Sequence, residues 1–147
     1  MSRFKFRGID KITKEFIYGN LIIHNKKGKI VYYIQDVFDY RFPIVLQEVI
    51  PETVGQSTGL FDKNGNEIFE GDVLQYDYEI KIKGIVKWID DEALFSIHYE
   101  SGKYGLFAGE DMSLFEVIGN IHEEAWLWIW TNVDFIFIEQ NHTLSQW

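Results

Sequence analysis

The four residues Lys63-Asn64-Gly65-Asn66, set between the apolar pairs Leu60-Phe61 and Ile68-Phe69, constrain this chain more than any other feature. Asn and Gly tolerate the positive φ that a tight hairpin turn demands, and the flanking apolar residues give two paired strands a dry face. The string around them, VIPETVGQSTGLFDKNGNEIFEGD (residues 49–72), is the most specific stretch of the sequence. It predicts a β-hairpin at the middle of the chain.

Most of the remaining sequence follows the same grammar of short strands and turn punctuation. Phe4 and Phe6 alternate with Arg3, Lys5 and Arg7, which predicts a strand whose aromatic face meets the core and whose basic face is solvated. Residues 15–23 and 29–34 are β-branched and aromatic, joined by an Asn25-Lys26-Lys27-Gly28 turn. Residues 44–50 suit either a strand or a short helix, and Phe42 before Pro43 favours an extended backbone. Residues 73–78, 84–89, 93–99 and 115–121 predict four further strands, with Asp90-Asp91-Glu92 as a turn. Gly71-Asp72-Val73-Leu74 as a strand entry, the glycine-bent Gly84-Ile85-Val86-Lys87-Trp88 and a closing Glu116-Val117-Ile118-Gly119-Asn120 resemble an SH3-like small barrel. The expected fold is mainly β, or α+β with little helix: an N-terminal hairpin region (about 1–50) packed on an SH3-like partial barrel (51–124).

Two segments stand apart. Residues 10–20 and 62–72 share Asp-Lys-x-x-x-Glu, two apolar residues, then x-Gly and Asn or Asp. Two hairpins using the same turn chemistry explain the match more simply than a duplication does. Residues 125–147 form an aromatic extension, in which Trp126, Trp128 and Trp130 would share one strand face with Leu127 and Ile129 opposite. As short helix or strand it is apolar on every side, so with Phe135 and Phe137 it predicts burial in its own core or against another copy.

A chain of 147 residues, 46% hydrophobic and 17% aromatic, can bury a core as one domain or two very small ones. Without cysteine it has no disulfide framework, thiolate metal site or cysteine nucleophile. The start MSRFKFRGID lacks a signal-peptide core, and the most apolar run is too short for a membrane span of roughly 20 residues. A soluble cytoplasmic protein is expected. Residues 1–50 carry nine Lys/Arg against five Asp/Glu, while residues 51–147 carry five against eighteen. That balance disfavours non-specific binding to nucleic acid by the whole protein, but leaves room for a local basic patch or for contact between unlike surfaces of neighbouring copies.

No catalytic or metal constellation emerges. Asp62, Asn64 and Asn66 alternate like calcium ligands, yet the sixth and twelfth positions of such a loop hold Glu67 and Val73 where Gly and Glu are needed. His24, His98, His122 and His142 are scattered, and His122-Glu123-Glu124 lacks the second histidine of a zincin helix. Carboxylates at Glu67, Glu70, Asp72, Asp90, Asp91 and Glu92 offer acid/base pairs only if the fold holds two of them in a cleft. Gly55-Gln56-Ser57-Thr58-Gly59 imitates a nucleophile elbow but precedes a hairpin rather than a helix. A strip of Arg3, Lys5 and Arg7 beside Phe4 and Phe6 is the candidate nucleic-acid surface, which Lys26, Lys27 and Lys29 could extend.

The string 49–72, together with Lys5-Phe6-Arg7-Gly8, Tyr18-Gly19 and Glu116-Val117-Ile118-Gly119-Asn120-Ile121, resembles the YopX family of phage and prophage proteins. The resemblance implies a single domain over 1–124 and a small accessory protein that assembles into homo-oligomers, with no defined catalytic residues and no cofactor. Thr53, Gly55, Gln56, Thr58 and Gly59 match within the signature, and serve either as a binding loop or as the join between the two halves. The expected function is non-enzymatic binding of an unidentified phage or host protein, with self-association through Trp126, Trp128, Trp130, Phe135 and Phe137. A nucleic-acid-binding factor is the alternative, and a small hydrolase the remotest reading.

Overall fold

The computed structural model describes residues 4–36, 45–77, 79, 81–99, 104–106 and 111–123. The chain divides into two compact units, residues 1–61 with 67–70 and residues 62–66 with 71–147. Both are antiparallel β-sheet, and the only helical turns among the described residues are two three-residue 3-10 segments. The mainly β expectation holds.

In the first unit, β1 (Phe6–Ile9), β2 (Phe16–Lys26), β3 (Lys29–Gln35), β4 (Gln47–Glu48), β5 (Gly55–Phe61) and β6 (Glu67–Phe69) form a sheet in the order β4-β3-β2-β1-β5-β6. Of residues 44–50, the described ones, 45–50, resolve toward the extended alternative, since β4 pairs with β3 and Val49 bridges to Asp10. The β2–β3 turn is tighter than expected. Lys26 pairs directly with Lys29, leaving Lys27 (φ +52°) and Gly28 (φ +86°) as a two-residue turn. Positive φ at both positions is the type I′ geometry that matches strand twist, and the Asn25 side chain accepts the Gly28 N–H at 2.8 Å. Among the described residues of this unit, Val31, Ile34, Val49, Ile68 and Phe69 are buried and apolar.

One expectation is reversed at β1. Phe4 is 66% exposed and Phe6 only half-buried, whereas Arg7 is 6% exposed. The strand turns its cations inward because aromatic rings and a carboxylate from β2 and β6 are there to receive them.

The second unit orders β7 (Asp72–Asp77), β8 (Lys81–Ile89), β9 (Leu94–Tyr99), β10 (Tyr104–Leu106) and β11 (Phe115–Asn120) as β10-β9-β8-β7-β11. Consecutive residues Val73-Leu74 and Ile85-Val86 are buried, so both faces of these strands are covered. Gly84 sits where a Cβ would lie 2.5 Å from the Ile97 side chain, which is why this central strand carries glycine there. The four expected strands are present, β8 starts three residues earlier than the sequence suggested, and β10 was not anticipated. A pairing that closes this sheet into a barrel is not among those of the described residues.

Candidate functional site

The signature string is built into the sheet rather than looped out of it. Gly55, Gln56, Thr58 and Gly59 belong to strand β5, and Thr53 ends the 3-10 turn Pro51–Thr53 that leads into it. The Thr53 hydroxyl accepts the Ile9 N–H at 2.8 Å and donates to the Ile50 carbonyl at 2.6 Å. Gly55 pairs with Arg7, and a Cβ there would lie 2.5 Å from the Glu70 carbonyl oxygen. The Gln56 carbonyl accepts the Glu70 N–H. Three β5 residues, 58–60, stand opposite the single Ile68 of β6, an irregularity that Gly59 accommodates with φ +77°. Thr58 closes it by donating to the Ile68 carbonyl and accepting the Leu60 N–H.

Behind β5 lies a cluster of cations and rings. Ser57, fully buried, donates to Glu67 Oε1 at 2.7 Å, while Lys5 Nζ donates to Glu67 Oε2 at 2.6 Å. The Lys5 ammonium also lies 5.7 Å from the ring centroids of both Tyr18 and Phe69. The Arg7 guanidinium stands 4.6 Å from the Phe16 ring and 5.0 Å from Phe69, and donates to the Glu70 carbonyl at 3.3 Å. A buried charge is tolerated only when it is paired or hydrogen-bonded, and ring faces add about 0.5–2 kcal/mol per contact. Phe69 therefore organises the unit: it takes Lys5 and Arg7 on its face and meets Tyr18 edge-on at 5.5 Å.

Hydroxyl, carboxylate and ammonium in series resemble a relay, but the Ser57 oxygen is wholly enclosed and also accepts the Gly59 N–H. The chain of bonds ties β1, β5 and β6 together. Of the basic strip, Lys5 and Arg7 are committed to these contacts, and Arg3 lies outside the described residues. Trp126, Trp128, Trp130, Phe135 and Phe137 also lie outside them.

The Asp62 turn belongs to the second unit. Its carboxylate accepts the N–H groups of Asn64, Asn66 and Val117 at 2.8–2.9 Å and the Asn66 amide at 3.2 Å. Burial pushes this carboxyl up, but the four donors outweigh burial and hold it below its ordinary value. With its oxygens so occupied, Asp62 shapes the turn. Asp10 does the same in the first unit, accepting the N–H groups of Ile12 and Thr13 at 2.7 Å. The sequence echo between 10–20 and 62–72 thus corresponds to two aspartate-anchored turns.

His98 is held below the usual imidazole range, first by burial and then by the Lys87 charge. Among the described residues no three His, Cys, Asp or Glu side chains gather as a metal site.

Cations do collect elsewhere, on the β2–β3 hairpin. Cross-strand pairing puts His24, Lys26 and Lys29 on one face, with Ile23, Ile30 and Tyr32 on the other. Lys11, from the β1–β2 turn, bonds Glu48 at 2.5 Å. That bond first, and the charges of Lys11, Lys29 and Lys26 after the opposing effect of burial, hold Glu48 below the usual carboxylate range. The sequence gives this patch one signal that strand alternation missed: residues 16–35 contain no Asp or Glu.

The model of the YopX protein family matches residues 5–128. The chain belongs to the YopX family. The YopX match takes in β1 to β11, the whole signature and the two tryptophans Trp126 and Trp128, while Trp130, Phe135 and Phe137 fall beyond it. Protein EF1440 from Enterococcus faecalis, known from a crystal structure, is similar at 26% identity over 84% of this chain and 96% of that one, with a TM-score of 0.40. No curated protein matches. Among the described residues no helix is long and apolar enough to cross a membrane.

Proposed function

We propose that this YopX protein is a non-enzymatic phage or prophage accessory protein of the host cytoplasm, acting by protein binding and self-association. The observation that carries the reading is the division of charge between the units. The first holds nine Lys/Arg against eight Asp/Glu, the second five against fifteen. The first unit gathers Lys26, Lys27 and Lys29 in a stretch without carboxylates, so a locally basic face of one copy can meet the acidic excess of another, and that excess can also receive a basic partner. The aromatic extension, with Trp126, Trp128, Trp130, Phe135 and Phe137, supplies apolar area for such contact.

Light scattering on the eluting protein tests this in two ways. The full chain should elute as more than one copy, with a mass that falls between about 50 mM and about 500 mM salt. Deleting the residues beyond Glu124 should lower that mass or the solubility. A monomer at both salt concentrations would remove self-association from the reading. An unchanged, soluble oligomer after the deletion would remove the extension from the interface.

A further inference from the structure

We propose that the β2–β3 hairpin is a DNA-binding arm that sets its basic face and tip against the phosphates lining the major groove of double-stranded DNA. The inference does not rest on self-association. It begins with where the hairpin loses its neighbours. β1 pairs with β2 only as far as Gly19, and on the other side the last bond to β3 runs from the Val49 N–H to the Tyr32 carbonyl. The rungs His24↔Val31, Asn25↔Ile30 and Lys26↔Lys29 therefore have no third strand among the described residues. Three rungs are about 10 Å of two-stranded ribbon. All eight residues from 23 to 30 are exposed.

The charge on this ribbon is of one sign. Its carboxylate-free stretch of 20 residues, 16–35, carries Lys26, Lys27 and Lys29 within four positions. Lys26 stands directly opposite Lys29, an arrangement of like charges that destabilises a strand pair. A lysine protecting an exposed edge would not need a second one facing it. Lys11 is bonded to Glu48, a carboxylate that also feels the charges of Lys29 and Lys26. A polyanion relieves this crowding.

Duplex DNA fits the pattern better than an acidic protein surface does. It presents one negative charge about every 1.7 Å along its axis, a density that lysines packed this closely can meet together. A two-stranded ribbon is also one of the two elements that the major groove, about 12 Å wide, admits. The net charge of −9 keeps the rest of the chain off the phosphates and confines contact to the arm.

The test is fluorescence anisotropy of a labelled duplex of about 20 base pairs with the full chain across a salt series. Affinity should fall with salt along a logarithmic slope of about −3, as three neutralised phosphates require. The variant K26Q/K27Q/K29Q should bind about tenfold or more weakly with a flatter slope. K81Q/K83Q/K87Q, which removes the same charge from β8, should stay within about twofold of the parent, and K26R/K27R/K29R should retain binding. Circular dichroism checks that each variant is folded. The proposal is overturned if the parent shows no salt-sensitive binding, or if the two glutamine variants lose affinity equally. Tighter binding to a single strand of the same sequence would also overturn it. So would capture of polyglutamate in place of DNA, which would make the arm a reader of acidic protein.

Discussion

Asp62 shows at the scale of one residue what the polar letters of the signature accomplish. Four donors converge on one buried carboxylate, so its removal orphans three backbone N–H groups at once. Hydrogen bonds to a charged group are each worth about 1.5–3 kcal/mol, and unsatisfied buried donors cost a similar amount. Asp62→Ala is expected to lower stability by about 3 kcal/mol in urea unfolding, and Asp62→Asn by less, because an amide oxygen still accepts. The pH dependence follows from the direction of the shift. The folded carboxyl lies below its ordinary 3.8, so its stabilisation is complete above about pH 4 and disappears as pH falls through the folded value. The acid limb of the stability curve should therefore be flatter in Asp62→Asn than in the parent, and coincident limbs would count against this account. The turn itself was legible, because Asn64-Gly65 between apolar pairs has few other uses. Its fourth donor was not, since Val117 is 55 residues away and nothing local announces it.

For an element, period-two alternation shows which residues share a face but not which face turns inward. At β1 the sequence correctly separates Phe4 and Phe6 from Lys5 and Arg7. The choice of side is made by β6, where Phe69 and Glu67 offer a ring and a carboxylate to the cations. Hydrophobicity alone points the wrong way here because cation–ring contacts are long-range in sequence. Arg7→Ala should cost about 2–3 kcal/mol, combining a cavity beside Phe16 and Phe69 with the lost ring contacts. Phe4→Ala should stay within about 0.5 kcal/mol, as exposed substitutions do. Thermal unfolding of the two variants decides the orientation, and the opposite ranking would restore a solvated basic face. Turn geometry offers a prediction in the stabilising direction. Ala93 holds φ +53° between β8 and β9, a conformation that costs an L-residue roughly 1–2 kcal/mol. Ala93→Gly relieves that strain against the entropy glycine loses, so a gain of about 0.5 kcal/mol is expected as a higher melting temperature.

In the molecule as a whole, electrostatics opposes folding more than it supports it. The residues of the second unit include fifteen carboxylates and five cations. Opposing that repulsion are ion pairs such as Lys63–Glu116 at 3.0 Å there, and Lys5–Glu67 and Lys11–Glu48 in the first unit. Partly exposed pairs contribute about 0–1 kcal/mol each and are screened along with everything else. The ten carboxylates left in excess among the residues of that unit outnumber such pairs, and unpaired like charges repel one another within a Debye length of about 10 Å. Raising sodium chloride from about 20 mM to about 500 mM should therefore raise the melting temperature by a few degrees. A melting temperature that falls with salt would mean that the ion pairs dominate. The same salt acts with the opposite sign on the β2–β3 arm, where it weakens attraction to phosphate. Stability and DNA affinity should thus move in opposite directions along one salt series. That divergence separates a charge pattern kept for binding from one that merely holds the fold, since a purely structural set of lysines would leave no DNA affinity to lose.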